Sequence, residues 1–214
     1  MKPFEFKDGQ NSWQTDSETL LHFYAAVDWN DPRHKALSEL VTTSNQALID
    51  AGFPITPVEL KWLHITVDQI SGRPANRIAQ AERDKLITEV TDRLNDLAPI
   101  EVTVGSLLSY HSGVIADLHP DQQLADLHHA AREGICAALG EEACQYHWGL
   151  QHLTTAYAYA EADSDAAQRI LRRARPSHAP LHINAVHLVD VTARTTTQGK
   201  TITWDHLETI RLRG

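Results

Sequence analysis

The stretch Leu60-Lys61-Trp62-Leu63-His64-Ile65-Thr66-Val67-Asp68-Gln69-Ile70 decides the fold. Its aliphatic residues Leu63, Ile65 and Val67 alternate with Trp62, His64, Thr66 and Asp68. Alternate side chains of a strand face opposite ways. The stretch therefore predicts a strand with one face on the core and the other carrying an imidazole beside a hydroxyl. A second stretch, Leu150-Gln151-His152-Leu153-Thr154, repeats the device. With 13 His in 214 residues, roughly one His-x-Thr arises by chance, so register has to strengthen the signal. His64 and His152 lie 88 positions apart, and at the same offset Pro32 matches Pro120 and Gly52 matches Gly140. Each Pro precedes a helical pattern and each Gly follows one, where starts and stops belong. An ungapped helix, stop and His-x-Thr strand thus recur as an internal duplication. Two equivalent strands placed side by side would aim both His and both Thr into one cleft.

Outward from these strands, residues 1–19 read as an N-terminal arm, polar and aperiodic. Residues 20–214 read as one bilobal domain. Leu20 to Val27 predicts a strand. Asp31-Pro32 opens a helix with Leu37, Leu40, Val41 and Leu48 on its stripe, closed by Gly52. Ser71-Gly72-Arg73-Pro74 turns the chain into a second helix carrying Leu86, Val90 and Leu94, followed by a strand from Ile100 to Leu108. The second half repeats the order: a strand from Val114 to Leu118, a helix after Pro120, a His-x-Thr strand over His147 to Tyr159, and a helix from Asp163 to Arg173. One strand from Leu181 to Thr192, a hairpin at Gln198-Gly199, its return over Thr201 to Trp204 and a short strand at Leu207 to Leu212 complete it. The fold class is α+β: two strand-helix-strand-helix-strand lobes related by a pseudo-two-fold, with antiparallel sheets lining a central cleft.

Composition bounds the partners. An apolar share of 42% suits a soluble globular chain. A net charge of −9 argues against binding long nucleic acid by bulk charge, though not against a small anion in a local pocket. The N-terminus shows no apolar signal core and no run is long enough to span a membrane, so a cytoplasmic monomer is expected. Cys136 and Cys144 fit neither a zinc pattern nor a disulfide framework and read as small semi-buried thiols. His128-His129 reads as a partly exposed helix face, and His182 and His187 as structural residues of one strand. Arg172, Arg173 and Arg175 read as a solvated helix end.

Imidazole alone among unperturbed side chains is poised near neutral pH to take or give a proton. One neutral and one protonated His can serve a phosphodiester cleavage, with Thr66 and Thr154 donating to the non-bridging oxygens. No cluster of carboxylates suggests a two-metal site, so neither metal nor other cofactor is expected. Tyr24 and Trp62 are candidates to stack on a base.

With these motifs in place, the chain resembles the two-histidine phosphoesterase superfamily, which contains bacterial 2′-5′ RNA ligase-like proteins and cyclic nucleotide phosphodiesterases. The resemblance runs from Leu20 to Leu212. It is carried by Trp62-Leu63-His64-Ile65-Thr66-Val67, Gly72, Gln151-His152-Leu153-Thr154 and the duplicated order of elements. It implies metal-independent chemistry on 2′-5′ or 2′,3′-cyclic linkages, with His64 and His152 as acid and base and Thr66 and Thr154 as phosphate ligands. Gln151 stands where many members have Pro, and Tyr157, a further candidate substrate contact, where many have a basic residue. The expected substrate is a small nucleotide or a short RNA end. Hydrolysis, RNA end joining, and nucleotide binding without turnover all remain open, as does which His is the acid.

Overall fold

A computed structural model describes residues 1–6, 18–147 and 149–214. The elements in chain order are β1 (Thr19–Ala26), α1 (Lys35–Asp50), β2 (Ile55–Pro57), β3 (His64–Gln69), α2 (Gln80–Leu94), β4 (Ile100–Tyr110) and β5 (Gly113–His119). These are followed by α3 (Gln122–Leu139), β6 (Leu153–Ala158), α4 (Ser164–Leu171), β7 (Ala179–Ile183), β8 (Ala185–Thr196) and β9 (Gly199–Arg211). The expected α+β duplication is present: β1-α1-β3-α2-β4 is followed by β5-α3-β6-α4-β7. The strands form one antiparallel sheet in the order β7-β4-β5-β6-β3-β1-β8-β9, with β2 added to β6.

The two lobes of the sheet meet at β3 and β6, which share the single register pair Ile65↔Leu153. From Ala156 onward β6 takes β2 as its neighbour instead. The helices cross between halves: α1 packs on β2, β6 and β7, whereas α3 packs on β3 and α2. α1 thus packs on two strands of the second half, and α3 on one of the first. α2 comes close to α3 at Gly134, where a Cβ would stand 2.7 Å from the Val90 Cα.

Local signals place these elements well. Asp31 caps a 3-10 turn at Pro32–His34 that leads into α1, its carboxylate accepting from the Arg33 amide. The α1 stripe Leu37, Leu40, Val41 and Leu48 is fully buried. Asp163 caps α4 through the amides of Asp165 and Ala166.

Five expectations are corrected. Leu60–Trp62 is a 3-10 turn, and the strand begins only at His64. The run Leu181 to Thr192 is two strands broken at Asn184: β7 pairs with β4 and β8 with β1, at different places in the sheet. His182 and His187 accordingly sit on separate strands. The return of the hairpin is one long β9, whose bulge at Leu207 absorbs the expected break. Of the His128-His129 pair, His129 is exposed, whereas His128 is buried, with its Nδ1 2.8 Å from the Val67 carbonyl. Finally, Cys136 and Cys144 are joined as a disulfide: the chain reverses at Gly140 and brings their Cα atoms to 6.0 Å.

Of the N-terminal arm, residues 7–17 lie outside the described residues. Residues 1–6 run along the surface, with the Lys2 amide donating to the His111 carbonyl and the Phe4 amide to that of Ala158. Among the described residues no helix is long and apolar enough to cross a membrane.

Candidate functional site

The pair Ile65↔Leu153 fixes the geometry of the two motifs. In an antiparallel ladder the residue before one partner stands opposite the residue after the other. His64 therefore faces Thr154 across the seam, and Thr66 faces His152. Ile65 and Leu153 are fully buried in the core, so all four motif residues share the opposite face. The fold thus brings together the residues that the sequence singles out.

The two imidazoles are oriented in the same way. Nδ1 of His64 lies 2.7 Å from the Trp62 carbonyl, and Nδ1 of His152 lies 2.9 Å from that of Leu150. A carbonyl only accepts, so each Nδ1 carries a proton, which leaves each Nε2 as the nitrogen that can take or give one. The acceptor is in both cases the residue two positions earlier, an internal repeat of detail that the spacing alone does not reveal.

Their surroundings differ. His64 is half-buried, and its ring stacks on Tyr24 with centroids 3.7 Å apart and planes 8° from parallel. The Trp62 carbonyl also accepts from the Trp204 indole at 3.2 Å, so both of its lone pairs are engaged. Trp204 in turn packs edge-on against Tyr24 and Trp62. Tyr24, Val189 and Val191 form a small apolar cluster beneath it on this face of the sheet. Burial in this cage, with a lesser contribution from His152, lowers the His64 pKa to about 4. His152 is exposed at the end of a loop.

Beside His152 lies a cleft of about 430 Å³, lined by Thr66, Leu108, Tyr110, Ile115, Asp117 and Tyr146 among others. His64 and Thr154 are not in its lining and stand at its edge across the seam. The expected aromatic contacts are revised by this geometry. Tyr24 is 1% exposed, with one ring face covered by His64 and its hydroxyl 2.9 Å from Nδ1 of His22. Tyr157 is 7% exposed and stacked under Phe4 of the N-terminal segment at 4.4 Å. Neither offers a face to a ligand. Trp62 is half-buried in its contact with Trp204. Leu108, Tyr110, Asp117, Tyr146 and Trp204 escape the sequence reading, because nothing in their spacing relates them to the two motifs.

Asp68 is also displaced from its expected place. The register of β1 and β3 passes from Tyr24↔Thr66 to Phe23↔Asp68, leaving Val67 as a bulge. The bulge turns Asp68 to the helix face, where it is fully buried and bonded to Arg132 of α3 at 2.8 and 2.9 Å. The same guanidinium donates to the Tyr146 carbonyl at 2.7 Å. One arginine thus links the end of the first motif strand to the loop that carries the second motif. Among the described residues no group of three His, Cys, Asp or Glu is placed to hold a metal ion.

His22, fully buried beneath Tyr24, gives a stability prediction. Desolvation lowers its pKa to about 3, with a smaller effect of His64. In the unfolded chain it titrates near its ordinary value of 6.5. The unfolded state therefore gains a proton that the folded state refuses, so stability is intact above pH 6.5 and is lost as pH falls toward 3. Each such group steepens the fall by up to about 1.4 kcal/mol per pH unit. Urea unfolding between about pH 7 and 4.5 checks this: the slope should be flatter by about one proton in His22→Leu, and an unchanged slope would refute the assignment.

No family description matches the chain, and no curated protein does. Solved structures do. The TT0787 protein of Thermus thermophilus is 19% identical, with a TM-score of 0.61 over 91% of this chain and 98% of that one. E. coli LigT complexed with 3′-AMP is 14% identical, with a TM-score of 0.60 over 92% and 99%. The MHV ns2 PDE domain is 12% identical, with a TM-score of 0.52 over 81% and 97%. At such identities the likeness concerns architecture: this chain shares the fold of these structures, with the duplicated antiparallel sheet described above.

Proposed function

We propose that the protein is a phosphodiesterase that opens small 2′,3′-cyclic or 2′-5′-linked nucleotides by two-histidine acid–base catalysis. The observation that carries this reading is the register pair Ile65↔Leu153, with two His and two Thr on one face around it. The likeness to a LigT structure holding 3′-AMP supports a nucleotide as ligand. The cleft beside His152, with Leu108, Tyr110 and Ile115 on its walls and Asp117 as an acceptor, suits an aromatic base with polar edges.

His64 is the base of hydrolysis, because burial keeps its imidazole neutral. Its Nε2 takes a proton from water as the water oxygen bonds to phosphorus. His152 gives its Nε2 proton to the departing ribose oxygen as the phosphorus–oxygen bond breaks. Thr66 and Thr154 donate to the non-bridging oxygens, where charge builds up. Water and cyclic diester thereby become a phosphate monoester, and the two imidazoles exchange protonation states.

The test is turnover of a panel of 2′,3′-cyclic and 2′-5′-linked nucleotides with and without a strong chelator. Activity that survives chelation is expected; activity that vanishes and returns with one divalent metal would sink the mechanism. On the best substrate, kcat/KM should follow a bell-shaped pH profile. Its acid limb lies near pH 4, because activity is lost when His64 gains a proton. The alkaline limb marks loss of the proton from the acid. An acid limb that stays in place when Tyr24→Leu opens the cage would show that burial of His64 does not set it.

A further inference from the structure

We infer that the protein has a second anion site, on the opposite face of β4 from the cleft, that takes a small oxyanion of the phosphate type. The inference is independent of the activity proposed above. A cavity of about 210 Å³ lies between α1, β4, the end of α4 and the segment entering β7. It shares no lining residue with the cleft. Its polar lining is Ser44, Ser106, Arg172, Arg175, Ser177 and His178, with no carboxylate among them. Two arginines, three serines and a histidine make the lining rich in donors, matched to an oxyanion rather than to a cation or a neutral ligand.

Three details indicate a built site rather than a chance gap. Ser44 is fully buried on α1 and lines the cavity, yet its hydroxyl has no hydrogen-bond partner among the described residues. Buried hydroxyls are nearly always paired, so an unpaired one in the wall of a cavity calls for a partner that a ligand could supply. His178 is held at both ring nitrogens, Nε2 at 3.3 Å from the Ser106 hydroxyl and Nδ1 at 3.0 Å from that of Ser177. A neutral imidazole donates through one nitrogen and accepts through the other. The hydroxyl that accepts from it keeps its own hydrogen to donate into the cavity. This wall exists because Gly105, at φ +119°, lets β4 approach so closely that a Cβ there would stand 2.5 Å from the Ser177 carbonyl oxygen.

Both arginines of the lining are exposed. Arg175 donates through Nη1 to the carbonyls of Arg172 and Ala174 at the end of α4, which fixes it beside the cavity and leaves Nε and Nη2 outside those two bonds. Arg172, the C-cap of α4, is exposed and forms no salt bridge among the described residues.

The experiment titrates the whole protein with inorganic phosphate at constant ionic strength and follows backbone amide resonances. Saturable shifts at Ser106, Ser177 and His178 are expected. Arg172→Gln and Arg175→Gln should each weaken that saturation by about tenfold or more, as loss of a charge-assisted hydrogen bond does. Shifts at Thr66 and Thr154 should be unaffected by either substitution. Absence of shift at Ser106, Ser177 and His178, a linear unsaturable drift, or equal saturation in Arg172→Gln would each overturn the inference. Arg172→Gln keeps the test sound should Arg175→Gln fray α4. A failure at Thr66 and Thr154 alone counts against the cleft reading and leaves this one standing.

Discussion

His64→Ala and His152→Ala should each lower kcat/KM on the best nucleotide by about 10²- to 10⁴-fold, the usual cost of a positioned acid or base. The double variant should be little worse than either single one, because one proton has to be taken and another given in the same passage over phosphorus. Thr66→Val and Thr154→Val should lose less than the His variants, within the roughly 10²- to 10³-fold known for single donors to a developing charge. The register makes a sharper demand. His64 faces Thr154 and Thr66 faces His152, so each Thr stands across the seam from the other strand's His. Coupling in double-mutant cycles should therefore be larger for His64 with Thr154 than for two residues without a shared partner. The measurement is steady-state turnover of the four single variants and these pairs. Near wild-type activity in either His variant would refute the two-histidine mechanism. If phosphate still bound such variants, a binding role would replace it.

This site is legible because it depends on the two simplest regularities of a chain. The alternation of a strand places His64 with Thr66 and His152 with Thr154. The offset of 88 places the two pairs in equivalent positions. Caps and stops, such as Asp31 and Gly52, are equally local and mark the helices. What fails depends on neighbours far along the chain. Leu181 to Thr192 reads as one strand because both parts are apolar, and only pairing with β4 or β1 distinguishes them. The bulge at Val67 leaves no mark in composition, yet it carries Asp68 to the other face of the sheet. His128 reads as part of a partly exposed face because its acceptor, the Val67 carbonyl, is 61 positions away. Tyr24 reads as a platform for a base, whereas the structure uses its face to cover His64. Its role depends on Trp204 of β9, for which no local pattern exists.

The second large effect concerns how the two motifs are held relative to one another. Arg132→Leu should lower the unfolding free energy by about 3–5 kcal/mol, the cost of leaving one partner of a buried ion pair uncompensated. Asp68 is fully buried, and its carboxylate receives two bonds from Arg132 and one from the Gln69 amide. Without the guanidinium it would keep the amide and a His128 imidazole at 3.8 Å. Asp68→Ala should cost less, because the Arg132 side chain is 26% exposed and can turn partly to water. The double variant Asp68→Val, Arg132→Leu should recover much of the loss, since two apolar groups leave no buried charge. Recovery of activity should not follow. The Arg132 bond to the Tyr146 carbonyl disappears in both arginine variants, and that bond anchors the loop leading to His152. Stability and turnover therefore separate in the double variant, which a purely structural ion pair would not produce. Urea unfolding and kcat/KM of the three variants make the test. A stability change below about 1 kcal/mol in Arg132→Leu, the level of an exposed pair, would show that the link between β3 and α3 does not depend on this contact.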